Sequence, residues 1–148
     1  MKPRPQFFNG LQEQELPDGI RIRLLAPLHY FSPLLERITG DGHVYLETGF
    51  VCDLTSLRLG SFVSRGPWNR AAAVHDWLYF NGRHAGQRIT KREADLVFHE
   101  AMKCLHTNPV RREVFYGGVL LLAWKAWLGH RRRDRKNRKA NLSTTNLP

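Results

Sequence analysis

Residues 71–82 read AAAVHDWLYFNG, and in the middle of that apolar run His75 and Asp76 stand side by side. Imidazole is the side chain that takes up and returns a proton most readily near neutral pH. A carboxylate beside it can orient the ring, hold a cation or accept from backbone amides. At about 100° per residue on a helix, His75 falls among Ala71, Leu78 and Tyr79. Asp76 falls between Ala72 and Phe80, while Ala73, Val74 and Trp77 cover the remainder. A helix that is apolar all round is a buried one. A lone carboxylate there would be costly, so Asp76 is expected to be paired, metal-bound or protonated.

A second helical segment supplies a partner. Its apolar stripe is Ala94, Val97, Phe98, Ala101, Met102 and Leu105. Asp95 lies at the flank of that stripe near Met102, whereas Lys91, Glu93 and Glu100 point further toward water. Packed antiparallel across the loop at 81–89, the two helices would bring Asp95 to face His75. A carboxylate on one ring nitrogen fixes the tautomer and frees the other nitrogen as a general base. Asp76 is then left to bind a cation or to cap a loop.

The loop with matching chemistry is GFVCDLTSLRLG, residues 49–60. Gly49 permits unusual backbone angles, Asp53 offers a carboxylate and Ser56 a hydroxyl. Asp76, Asp53 and loop carbonyls suit a hard cation, calcium or magnesium. Ser56 as a nucleophile lacks a GxSxG elbow. A structural reading stands beside the catalytic one. A buried His-Asp-Asp network also holds two helices and a loop in register, with Asp53 and Ser56 serving as an ordinary helix cap. His29, His43, His84, His99, His106 and His130 have no comparable context and are expected to fill surface or core.

These residues need elements to position them. IRIRLL (20–25) begins with strand-like alternation, and GHVYLETGFV (42–51) is a second β-rich segment bounded by glycines. FSPLLERITGDG between them fits a short helical turn and a loop. Three helices follow. The first runs from about residue 67 or 69 to Phe80 and stops at Asn81-Gly82. The second opens on the capping box Thr90-Lys-Arg-Glu93 and extends to about His106, and the third starts near Pro109. Gly117-Gly118 weakens the third by about 1 kcal/mol per glycine relative to alanine, which favours a close helix crossing there. The expectation is an α+β fold, a small N-terminal β portion followed by a bundle of about three helices.

The chain has 148 residues, enough for one domain with a core, and its 42% apolar content is that of a globular protein. Its formal charge of +10 is uneven: residues 129–140 hold seven cations against Asp134, a net +6 that leaves +4 for the rest. One domain over 1–130 and a basic tail over 131–148 are expected. Cys52 and Cys104 match no metal or redox spacing and are expected to be two free thiols. MKPRPQFFNG lacks a signal-peptide core, and VFYGGVLLLAWKAWL is too short to span a membrane. A soluble protein made in the cytoplasm is the expectation.

The combination GFVCDLTS, AAVHDWLY and READLVFHEAM resembles the family catalogued as domain of unknown function 1353, found largely in tailed phages and prophages. The likeness covers about Gly49 to Met102 and implies a phage origin, with the host cytoplasm or the virion as location. The order His75-Asp76-x-x-Tyr79 with Asp95 on the next helix is also similar to the helical core of phospholipases A2. That resemblance implies that His75 activates water, Asp76 binds calcium and Asp95 orients the histidine, with loop carbonyls from around Gly49 to Asp53. AAAVHDWL also resembles the metal-binding helix of HD phosphohydrolases. Those need a further upstream histidine on a helix, whereas His29 and His43 sit in strand-like or turn-rich context.

The third helix joins Trp124 and Trp127 to Arg131, Arg132, Arg133 and Arg135. Three uses compete: docking on an anionic lipid surface, binding nucleic acid through phosphates, or plain packing with cations at a helix C-terminus. Two functions therefore remain open. One is a hydrolase-like site, cation-dependent and acting on an ester or lipid, with His75 as base. The other is a non-catalytic virion or assembly protein that docks phage structural proteins through its tail.

Overall fold

A computed structural model describes residues 3–18, 21–52, 66–122, 124–125 and 127–133. Asp53, Ser56 and Arg135 lie outside the described residues. The fold is α+β, with short strands in the N-terminal half and helices toward the C-terminus.

Two antiparallel three-stranded sheets form the first half. β1 (Gln6–Phe7), β4 (Leu28–Phe31) and β5 (His43–Leu46) pair in the order β1-β4-β5, with Leu28 opposite Leu46 and Tyr30 opposite Val44. β2 (Glu13–Glu15), β3 (Ile22–Leu24) and β6 (Val51–Cys52) form the other in the order β2-β3-β6. Alternation decides which face is covered, because successive strand side chains point to opposite sides. Ile22, Leu24, Leu28, Tyr30, Val44 and Leu46 are buried accordingly. Between β4 and β5 the seven-residue α1 (Pro33–Thr39) starts on Ser32, whose Oγ accepts from the Leu35 amide, and ends at Gly40 with φ +83°. Pro33 fits the first turn, where its missing N–H costs nothing.

α2 (Asn69–Asn81) ends where the Asn-Gly pair demands: Gly82 adopts φ +56° and its N–H closes on the Leu78 carbonyl. A tight hairpin of β7 (Arg83–His84) and β8 (Gln87–Arg88) reverses the chain through Ala85 and Gly86, both at positive φ. α3 (Lys91–Cys104) carries a complete capping box, with Thr90 Oγ1 accepting from the Glu93 amide and Glu93 accepting from the Thr90 amide. Thr90→Ala is therefore expected to lower stability by about 1 kcal/mol, read from the midpoint of urea unfolding. α4 (Pro109–Leu122) follows, its first amides held by Asn108 Oδ1 at 3.0 and 3.3 Å, and it passes straight through Gly117-Gly118. Residues 124–125 and 127–133 are also helical, so helix spans the expected domain boundary at 130/131.

α2 packs on α3, α3 on α4, and both sheets close against the same core of Leu24, Tyr30, Leu46, Leu78, Phe98 and Met102. Cys52 and Cys104 are not joined in a disulfide. Among the described residues no helix is long and apolar enough to cross a membrane.

Candidate functional site

α2 and α3 meet along the faces that carry His75 and Asp95. His75 Nε2 lies 2.9 Å from Asp95 Oδ1, and the Tyr79 hydroxyl, one turn further along α2, donates to the same oxygen at 2.5 Å. Lys91, one turn earlier on α3, donates to Asp95 Oδ2 at 2.6 Å and to the Val119 carbonyl at 2.9 Å. The ammonium thereby ties α3 to α4. His75 is 1% exposed and Asp95 fully buried, so each charge must find its partner inside the protein. The His75 ring lies 4.0 Å from that of Tyr79 and 5.1 Å from that of Phe98, which holds its plane.

The remaining ring nitrogen faces Asp76. Nδ1 and Asp76 Oδ1 are 3.7 Å apart, an ion-pair distance longer than a hydrogen bond, and the Asp76 side chain is 13% exposed. Phe50 packs edge-on to Trp77 at 5.0 Å and to Phe80 at 6.2 Å. Phe80 sits one turn beyond Asp76, so Phe50, which follows Gly49 with its φ of +87°, lies toward the Asp76 side of α2. Among the described residues no group of three or more His, Cys, Asp and Glu side chains is placed to hold a metal ion. Asp76 is the network carboxylate that would hold a cation; Asp53 lies outside the described residues.

The electrostatics follow from this geometry. Burial pushes the His75 pKa down, but Asp76 and Asp95 outweigh it and hold the imidazole above its ordinary 6.5. Burial pushes Asp95 up, and the donors His75, Lys91 and Tyr79 outweigh that, leaving it below 3.8. The Tyr79 phenol is raised, first by burial and then by its bond to the Asp95 carboxylate. A depressed carboxylate stabilises above its unfolded pKa and loses that as pH falls through its folded value; a raised imidazole stabilises below 6.5 and loses that as pH rises through its folded value. The His75–Asp95 pair thus contributes most between about pH 4 and 6.5, and the stability gap between the native chain and His75→Gln should narrow on the alkaline side. Denaturant unfolding at pH 5.5 and 9 measures that gap.

Two residues depart from the sequence expectation. Lys91 and Glu100 do not point to water. Lys91 is buried because it precedes Asp95 by four residues and therefore shares its side of α3. Glu100 anchors α3 to the first sheet: it accepts from the Tyr30 hydroxyl at 3.1 Å, the Ser32 hydroxyl and the Leu34 amide. Only its partners from the distant β4–α1 junction reveal that role. His29 and His43 are also paired, Nε2 to Nδ1 at 2.9 Å across β4 and β5. Their alternation on neighbouring strands was the available signal.

The expected partner-binding residues divide. Trp127 is 9% exposed and meets the Tyr79 ring edge-on at 5.1 Å, while Trp124 is 54% exposed. Arg131 stands 4.7 Å over the Trp127 ring and donates to the Tyr79 carbonyl at 2.8 Å, whereas Arg132 and Arg133 are exposed. A cleft of about 770 Å³ opens between the hairpin, the start of α3 and the C-terminal helical residues. Lys91, Asp95, Trp124, Trp127 and Arg131 line it, and His75 does not.

No curated protein and no solved structure matches the chain. The family model described as "Protein of unknown function (DUF1353)" matches residues 24–119, which hold β4 to β8 and α1 to α3 together with most of α4. That span includes the whole His75–Asp76–Tyr79–Lys91–Asp95 network, and the chain belongs to this family.

Proposed function

We propose that this is a phage-encoded hydrolase of ester or lipid bonds, with His75 as general base and Asp95 as the group that orients it. One observation carries the reading: Nε2 is committed to Asp95 Oδ1, which also takes the Tyr79 hydroxyl, so the ring is locked with Nδ1 toward Asp76. A base held this way takes a proton from water at Nδ1. Asp95 then stabilises the imidazolium that forms. The hydroxide oxygen bonds to the ester carbonyl carbon, the carbon–oxygen bond to the alcohol breaks, and the proton on Nδ1 passes to the leaving alkoxide. Through one water, the ester carbonyl must reach the Asp76 side of the ring, where the Asp76 side chain is 13% exposed. A calcium or magnesium ion at Asp76 would supply charge stabilisation for the developing oxyanion.

The melting temperature with calcium, with magnesium and with EDTA tests the cation part, for the native chain and for Asp76→Asn. A ligand bound only by the folded state adds RT ln(1 + [L]/Kd), about 2.7 kcal/mol at a hundredfold excess over Kd. The expected result is a rise with one cation that vanishes in Asp76→Asn. Equal melting in all three solutions would remove the cation from the mechanism.

A second reading rests on the burial of His75 at 1% and on a cleft that reaches Asp95 instead. In it the network only clamps α2, α3 and α4, and the protein is a non-catalytic virion or assembly component, made in the host cytoplasm, that docks phage structural proteins through its basic C-terminal residues. Retention of every function by His75→Gln would favour it.

A further inference from the structure

Two features on one side of the molecule lie outside the reach of the His75 side chain, although Lys91 and Asp95 of its network line one of them. The first is the outer face of α4 and the helical residues that follow. Val110, Val114, Leu121, Trp124 and Leu128 are all exposed, Leu121 at 79%. With Gly117 they recur at alternating steps of four and three residues, which places them along one side of a helix. The second is the cleft beside Trp124. Arg83, Arg88, Lys91, Arg92 and Arg131 line it against the single carboxylate of Asp95, which is already bound to Lys91 and His75. Within it Arg83 and Arg88 are directly opposite one another in the β7–β8 hairpin. Like charges in that position destabilise a strand pair. A hairpin that has no third strand among the described residues is a poor place to carry such a cost unless an anion offsets it.

We propose that this side is a docking surface for an anionic phospholipid membrane, with the apolar stripe entering the lipid boundary and the cleft receiving a headgroup phosphate. Charge selects the occupant. From residue 109 to 133 there are six cations and one carboxylate, Glu113, so a second copy of the same face would meet like charge. The shape of the stripe selects further. A helix seam needs branched aliphatic knobs at each step, and here Gly117 leaves a gap with open space above it and Trp124 is oversized. A fluid interface accommodates both, and tryptophan favours the headgroup level. Lys91 Nζ lies 5.3 Å from the centre of the Trp124 ring, so stripe and cleft share a wall. The inference deepens the lipid-ester reading and rests on it for the choice of substrate, while the binding itself is independent of hydrolysis.

Sedimentation of the full chain with vesicles tests it, using phosphatidylcholine alone and phosphatidylcholine mixed with phosphatidylglycerol. Binding is expected only with the anionic mixture and should fall as salt is added. Leu121→Asp/Trp124→Asp and, separately, Arg88→Glu/Arg92→Glu are each expected to lower the partition coefficient by about tenfold or more while the protein stays folded. The second pair should melt no lower than the native chain, because Arg88→Glu places a carboxylate opposite Arg83. His75→Gln should sediment like the native chain, which separates membrane docking from catalysis. Equal binding to neutral vesicles, binding that survives both double substitutions, or a dimer dissolved by Leu121→Asp with no vesicle binding would each overturn the proposal.

Discussion

Asp95→Ala is expected to destabilise the protein by about 3–5 kcal/mol, because it strands the Lys91 ammonium inside and leaves the buried His75 ring without its partner. Lys91 Nζ loses its 2.6 Å partner and keeps the Val119 carbonyl, while His75 Nε2 loses its 2.9 Å partner and only Nδ1 keeps a carboxylate, Asp76 at 3.7 Å. Tyr79 is left with a buried hydroxyl. Because the cost comes from the stranded charge more than from the lost bonds, Asp95→Ala combined with Lys91→Met should recover part of it. Urea unfolding of the two variants checks the order. A double variant no more stable than Asp95→Ala would mean that the ammonium is not the source of the loss.

Phe98→Ala is expected to cost about 3–5 kcal/mol, through lost transfer energy and the cavity left behind. Its ring is fully buried on α3, 5.1 Å from the His75 imidazole. Removal therefore frees the face of a ring that must keep its plane to hold both carboxylates. Phe98→Leu, which restores much of the volume, should recover most of the stability. With His75 as the base, Phe98→Leu should also lower the rate of hydrolysis, since a base displaced by about 1 Å loses alignment.

How much of this was readable in the residues depends on the range of the forces involved. The limits of α2 and α3 follow from Asn81-Gly82 and from Thr90 and Glu93, because caps act within four residues. The approach of Asp95 to His75 follows from two helical wheels and one short reversal. Lys91 was misplaced for a physical reason. Its spacing from Asp95 says they share a side, but its burial depends on α4 crossing above it with the Val119 carbonyl. Glu100 was beyond reach for the same reason, since its partners lie more than 60 residues upstream. The hairpin at 83–88 was hidden by turn chemistry: Ala85 takes φ +46°, a conformation that alanine rarely adopts. Trp124 and Trp127 look alike in sequence, and only the position of Tyr79 turns one inward.

The most direct test is hydrolysis of a phospholipid and of a short-chain ester by the full chain with calcium or magnesium, following fatty-acid release for the native protein, His75→Gln and Asp95→Asn. The account predicts turnover by the native chain, none above background for a folded His75→Gln, and a loss of about 10²-fold or more for Asp95→Asn, which misorients the ring. A folded His75→Gln that releases acid as fast as the native chain, or a native chain with no turnover on either ester, would contradict it and leave the network as a clamp between helices.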